Sequence, residues 1–356
     1  MSLPKDLVKT LEVVKPKRLA AGDTVAVLST SWGGPAIFPK IYELGVRNLK
    51  ANFHLQIKEY PTTRGDPELL HGNPEMRAKD VNNAFSDREV AGIISSIGGD
   101  DSIRILPYLS KEAIRSNPKV LMGYSDTTTL LSYCNQLGLV TFHGPSIMAG
   151  FSQMENLPAT FTAHVAEMLF HSKASHQYSP FEVWSDGYPD WAEDGNIGKV
   201  NPPRKDDGWR WLQGMSIVRG ELFGGNIEVL EGLKGTEFWP SRDFWRGKIL
   251  FLETSEEKPS RAYIRRCLRN YGVQGIFDKI TGLLFGRARD FSDEEKKDLD
   301  ENIVTVVAGE FRRRDQPIVT NMDFGHTDPQ FILPLGARAA IDCGRRKFQL
   351  VEPAVL

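Results

Sequence analysis

The sequence predicts an α/β protein of two domains, and three observations carry that prediction. Its 356 residues exceed the roughly 100 to 200 that one hydrophobic core usually serves. From about Thr24 to Gly144, short β-rich runs alternate with helical patterns, the order expected of βαβ units and a parallel sheet. After a long stretch with neither period, strand and helix patterns resume with more hairpin character. The resulting division is an N-terminal extension over 1–17, a first α/β domain over 18–165, a Trp-rich linker or lid over 166–212, and a smaller second α/β domain over 213–356.

In the first domain the runs are TVAVLST, FPKIYELGVRNLKANF, HLQIKEY, PEMRAKDVNNAFSD, AGIISSI, SIRILPYL, KVLMGY, TTTLLSYCNQLG and LVTFHG. AGIISSI and KVLMGY are nearly continuous apolar segments, as strands covered on both faces should be. A doubly wound, flavodoxin-like parallel sheet follows. Between about Phe151 and Leu212 the pattern fails, and YSPFEVWSDGYPDWAEDGNIGKVNPPRKDDGWRWLQG reads as a structureless linker or a functional lid. Four of the chain's seven tryptophans, Trp184, Trp191, Trp209 and Trp211, fall here, which favours a lid because flexible linkers are poor in aromatics. A loop packed over the core by its indoles is the plainer alternative. The second domain then offers SIVRGELFGGNIEVLEGLKG, KILFLET, PSRAYIRRCLRNYG, ITGLLFG, a charged helix from about Ser292 to Glu310, PIVTNMDFG and the strand-rich tail FILPLGARAAIDCGRRKFQLVEP, and predicts a mixed, hairpin-rich sheet.

Composition narrows the function classes. Forty per cent hydrophobic and 25% charged residues exclude a disordered or fibrous chain. Forty-four basic against 46 acidic residues leave a net charge of −2, so no overall field draws the molecule to nucleic acid or an anionic membrane. No window approaches the roughly 18 consecutive apolar residues of a membrane span, and the first residues carry no signal-type apolar core. The expected location is the cytoplasm. Cys134, Cys267 and Cys343, odd in number and widely spaced, read as reduced core thiols rather than a disulfide frame or a zinc site.

Three segments could carry chemistry. KVLMGYSDTTTLLSY puts Ser125 on a strand-to-helix turn, where the free N–H groups of the new helix, the Asp126 amide first, can hold an oxyanion. Read locally, Ser125 or Asp126 is equally an N-cap. SIGGDDS follows another apolar strand, and Gly98 and Gly99 there let backbone approach a ligand and supply a second amide, or simply permit a tight turn. Neither segment has the spacing of a phosphate-binding loop. KILFLETSEEKPS ends an apolar strand in Glu253, with Glu256 and Glu257 just beyond, and PIVTNMDFGHTDPQFILPLG brings His326 out after another, beside Asp323, Gly325 and Asp328. A carboxylate ending a buried strand is a candidate to orient a histidine. Ser125, Glu253 and His326 run in the Ser, acid, His order of α/β-hydrolases. A metal centre at Asp323, His326 and Asp328 would need a further ligand, and His164, His171 and His176 lie in a separate stretch.

Taken in order and spacing, GYSDTT, IGGDDS, LFGGNIEVLEGLKGT, GKILFLETSEE, GIFDKITGLLFGR and DFGHTDPQFILPLG resemble the LD-carboxypeptidase family of serine peptidases, which includes microcin C immunity proteins. The resemblance runs from about Gly22 to the C-terminus. It implies Ser125 as nucleophile, His326 as general base and then acid, Glu253 as the residue orienting it, and the Gly99 and Asp126 amides as oxyanion hole. It also implies a homodimer without cofactor or metal, with the site in a groove between the domains. WSDGYPDWAED is similar to the immunity branch, where an aromatic stacks on the substrate's nucleobase. Trp191 matches that position, with Trp184 its neighbour and Asn226 a polar substrate contact. Where that branch has a lysine four residues after the catalytic glutamate, this chain has Glu257, as the murein-tetrapeptide branch does. A reversed charge disfavours an acidic side chain and favours an amine.

The expected activity is therefore amide hydrolysis of a small peptide-like substrate through an acyl-enzyme. The partner is an aminoacyl-nucleotide or peptidyl-nucleotide of the microcin C type or, alternatively, a murein L,D-tetrapeptide. From another class, two α/β domains closing on a ligand without chemistry would also present these residues.

Overall fold

The computed structural model describes residues 13–356. The expected 1–17 extension thus lies largely outside the described residues. The first part of the chain gives strands β1 (Thr24–Leu28), β2 (Gln56–Glu59), β3 (Val90–Ser95), β4 (Val120–Gly123) and β5 (Thr141–His143). These pair in the order β5-β4-β3-β1-β2, every pair parallel. Helices Pro39–Phe53, Pro74–Ser86, Lys111–Ser116 and Thr128–Gln136 lie on the successive crossovers. The apolar runs behave as buried strands should, β4 being buried at every position and β1 at all but its first.

The Trp-rich stretch is not structureless. It contains β6 (His176–Gln177), β7 (Val183–Trp184), β8 (Arg204–Lys205) and β9 (Arg210–Gln213). Two-residue strands are too short to show a period of two, which is why the sequence pattern hides them. There follow β10 (Ile217–Asn226), β11 (Lys248–Glu253), β12 (Gly282–Gly286), β13 (Ile318–Met322), β14 (Leu333–Leu335), β15 (Arg338–Asp342) and β16 (Lys347–Leu350). The second sheet runs β6-β16-β15-β10-β11-β12-β13-β9, so strands from the Trp-rich stretch close both of its edges. Its centre, β10 to β13, is parallel, and its flanks are antiparallel, β15 and β16 forming a hairpin. The chain is thus a two-domain α/β protein, its first large sheet mostly parallel and its second mixed, with β7 and β8 paired antiparallel as a separate two-stranded sheet.

The tail departs from expectation in one respect. Read as wholly part of the second domain, it instead gives β14 to the first sheet, antiparallel to β5. Leu333 and Leu335 are fully buried there, covering an edge that β5 would otherwise leave open. The two sheets also meet where Asn226 N donates to Thr128 Oγ1 (3.2 Å), across the end of β10 and the start of the helix after Ser125. The charged helix is Asp293–Val304, opened by a capping box between Ser292 and Glu295 and prolonged by a π-helical turn over Thr305–Glu310. Among the described residues no helix is long and apolar enough to cross a membrane.

Candidate active site

Every residue expected to do chemistry leaves the carboxyl end of a parallel strand, where open α/β sheets place their ligands. Ser125 follows β4 through extended Tyr124 and takes a left-handed conformation, φ 56°, before a helical turn leads into Thr128–Gln136. A non-glycine residue held there costs about 1–3 kcal/mol and aims its side chain out of the bend. The opposing turn needs glycine: a Cβ on Gly98 would stand 2.8 Å from Ser125 Cβ and 2.9 Å from its Oγ. Backbone can approach the hydroxyl that closely only without a side chain. Gly99 and Asp126 line one cleft with Ser125, and among the described residues neither of their amides has an acceptor.

Buried groups fix that turn. Ser31 Oγ accepts from the amides of Asp100 (3.1 Å) and Asp101 (3.2 Å) and donates to Asp101 Oδ1. Arg77, 1% exposed, grips the same carboxylate with both terminal nitrogens (2.5 and 2.9 Å). The Asp126 carboxylate accepts from Ser102 N (2.8 Å), which leaves its own amide to face the cleft.

Across the cleft, Glu253 ends β11 with no exposed surface, and His326 follows β13, 4% exposed. His326 Nδ1 donates to Glu253 Oε2 at 2.6 Å. Burial drives the Glu253 carboxyl upward, yet the His326 charge and the hydrogen bonds it receives outweigh that and hold it at about 2. Burial likewise works against a charged His326, but Glu253, with smaller pushes from Glu256 and Glu228, raises its pKa above the ordinary imidazole value. The Tyr124 ring packs against the imidazole, centroids 4.9 Å apart, so the residue preceding Ser125 touches His326. The final link is open: His326 Nε2 makes no hydrogen bond, to Ser125 or any other described residue, and faces Glu256 Oε2 at 3.1 Å without hydrogen-bond alignment. Such contacts are commonly loose before substrate binds.

The remaining expected residues divide. Asn226, 1% exposed, caps the helix Ile227–Leu233 through its oxygen, leaving Nδ2 buried and unpartnered at the cleft. Glu257 is exposed on the rim, with Glu256, Glu228 and Asp100 around the same space of about 220 Å³ and no lysine or arginine among its lining residues. Trp191 is half-buried and stacks on Tyr188 (4.4 Å, 14°), its edge toward Phe38 (5.6 Å). Trp184 is 4% exposed, with Lys296, Arg287 and Arg204 within 4.2 to 5.1 Å of its ring centre, so it has little surface for a ligand. Asp323, weighed as a metal ligand, instead accepts from Arg287 Nη1 (3.0 Å) and Trp209 Nε1 (2.7 Å). Ser185 and Asp328 exchange backbone hydrogen bonds (2.7 and 3.0 Å), tying the Trp-rich stretch to the His326 loop. Among the described residues no group of three or more His, Cys, Asp or Glu could hold a metal ion.

Sequence reasoning passed over His143 and Ser31. His143 closes β5, fully buried, with Nε2 3.6 Å from Glu253 Oε1 and its ring edge-on to Phe251. The signal was available, since LVTFHG puts a histidine at the end of an apolar run just as DFGH nearly does. Ser31 carries no such signal, because only the fold brings it against the Gly98–Gly99 turn.

Comparison with known proteins shows the family of the chain. Residues 25–144 match the model of the LD-carboxypeptidase N-terminal domain and 219–341 that of the LD-carboxypeptidase C-terminal domain. The Microcin C7 self-immunity protein MccF of Escherichia coli is 30% identical over 94% of this chain and 94% of its own. A probable murein peptide carboxypeptidase of Bacillus subtilis is 28% identical, with 96% of this chain and 95% of that one aligned. The solved structure of MccF with aspartyl sulfamoyl adenosine superposes with a TM-score of 0.84 at 28% identity, covering 96% of this chain and 100% of the other. With both domain models matched in order over most of its length, the chain belongs to the LD-carboxypeptidase family.

Proposed function

We propose that the protein is a serine carboxypeptidase-type hydrolase that cleaves an amide bond in a small aminoacyl-nucleotide or peptide-like substrate through an acyl-enzyme. The observation carrying this reading is the 2.6 Å bond from His326 to a fully buried Glu253, taken with a serine held at φ 56° beside unengaged amides. Ser125 Oγ attacks the acyl carbon while His326 Nε2 takes its proton. Glu253 holds the ring by its other nitrogen and offsets the imidazolium charge. The carbonyl oxygen, now anionic, meets the Gly99 and Asp126 amides, a contact whose loss typically costs about 3 kcal/mol. His326 then gives the proton to the leaving nitrogen, and water repeats the sequence on the ester. For this the imidazole must turn from Glu256 to Ser125 when substrate enters.

In this scheme residues 18–165 form the nucleophile unit, 213–356 the unit supplying Glu253 and His326, and 166–212 the lid between them. Kinship with the family further supports a cytoplasmic homodimer. Trp191, not the buried Trp184, is the surface for a nucleobase. The carboxylate-lined cleft favours a second substrate, a murein L,D-peptide whose recognised residue carries a free amine.

A matched pair of substrates, one peptidyl-adenylate mimic and one L,D-tetrapeptide, separates the two. The adenylate should be turned over, and Trp191→Ala should weaken its use by about 1–3 kcal/mol, the worth of one stacked base, while sparing the peptide. Turnover of the peptide alone would transfer the enzyme to the murein reading. Turnover of neither, with tight binding of one, would make it a ligand-binding protein.

A further inference from the structure

The crevice has a marked polarity. The cleft beside Ser125 is lined by Asp100, Glu228, Glu256 and Glu257 and by no basic residue. Yet both substrate classes just considered leave with an anion near the new amine, a phosphate-type group in one and a carboxylate in the other. An anionic leaving group in a field of carboxylates requires a cation on its own side.

Arg289 is placed to be that cation. β12 lies between β11 and β13 and runs parallel to both, so the segment after β12 emerges on the same edge as Glu253 and His326, and between them. Arg289 sits in that segment with a side chain 14% exposed. Its Nε is buried without a hydrogen-bond partner, and it makes no aligned hydrogen bond to any described side chain, its nearest carboxylate being the adjacent Asp290 at 3.3 Å. Arg287, two residues earlier and fully buried, also leaves Nε unpartnered, but its two terminal nitrogens are committed to Asp206 (2.6 Å) and Asp323 (3.0 Å). The lid is shaped around Arg289. Its guanidinium carbon is 5.4 Å from the centre of Tyr188, the ring on which Trp191 stacks. A Cβ on Gly187, φ 76°, would stand 2.9 Å from that same carbon. A largely buried guanidinium with no aligned hydrogen bond to a side chain, after a strand end of the crevice, is a donor set that planar carboxylates and phosphates select.

We infer that Arg289 is a specificity-determining residue that binds the anionic group of the leaving half of the substrate, on the lid side of the scissile bond. The inference rests on the hydrolase reading for its placement, but it can fail alone.

The test compares wild type, Arg289→Met and Arg289→Lys on two matched pairs. The first pair is an amide substrate whose leaving group ends in a free carboxylate, against its carboxamide, read as a ratio of kcat/KM. The second is AMP against adenosine, read as a ratio of affinities by calorimetry, which needs no turnover. The expected result is a wild-type preference for the anionic member of roughly tenfold or more, as for a hydrogen bond to a charged group. That preference should collapse toward one in Arg289→Met and partly return in Arg289→Lys. Collapse in one pair alone identifies carboxylate or phosphate as the anion served. Unchanged ratios in both pairs, or equal losses on charged and neutral members, would overturn the inference. If no amide is hydrolysed, the hydrolase reading fails while the AMP to adenosine ratio still decides the role of Arg289.

Discussion

The two walls of the crevice are built on opposite plans. On the Ser125 wall, the Gly98–Gly99 turn is locked by buried groups, with the Ser31 hydroxyl, the Asp101 carboxylate and the terminal nitrogens of the enclosed Arg77 bonded to one another. On the His326 wall, the Glu253 bond is just as buried, but its outer nitrogen faces Glu256, whose side chain is 52% exposed, and Glu257 stands beyond it in solvent. The difference teaches where fixed geometry matters. In the proposed scheme the amides on this wall form an oxyanion hole, which works only if its dipoles are in place before charge develops, in keeping with a buried and over-determined turn. Groups that select a substrate or release a base must move, so they are exposed and few.

The larger of two effects should follow from breaking the rigid wall. Arg77→Met leaves Asp101 with only its peripheral partners, and truncating one member of a buried ion pair costs on the order of 3–5 kcal/mol. Because Arg104 still reaches Asp101 Oδ2 (2.9 Å), the loss should fall near the low end. Chemical denaturation checks the stability, and kcat should drop while KM changes little, since the displaced amide serves the transition state. A variant with unaltered kcat would mean the turn does not need this anchor.

A smaller effect sharpens the contrast from the other side. Glu256 raises the His326 pKa, and the base must be neutral to act, so the acid limb of kcat/KM should lie above the ordinary imidazole value. Glu256→Gln removes one of the charges favouring imidazolium. The limb should then move to lower pH by less than about one unit, because a half-exposed carboxylate is well screened. No movement, or movement upward, would show that Glu256 does not act on the resting imidazole.

Much of this was legible in the sequence because its signals are local. Ser125, Glu253 and His326 each follow an apolar run ending at the sheet edge, and the Trp content of the 166–212 stretch marked it as more than a linker. What stayed hidden depends on distant register. β14 reads like any short apolar strand, and only the fold sends it to β5. Trp184 and Trp191 are alike in sequence, yet cations crowd the first while the second keeps an aromatic face on Tyr188. Arg287 and Arg289 share one motif, GLLFGRARD, yet only the first meets distant carboxylates, Asp206 and Asp323, that the fold brings to it.

Covalent capture of the nucleophile tests the central claim most directly. Incubated with a fluorophosphonate, the protein should be modified once, at Ser125, with labelling abolished in Ser125→Ala and strongly slowed in His326→Asn. Modification elsewhere, or an inert Ser125 in a folded protein that still binds its ligand, would contradict the account.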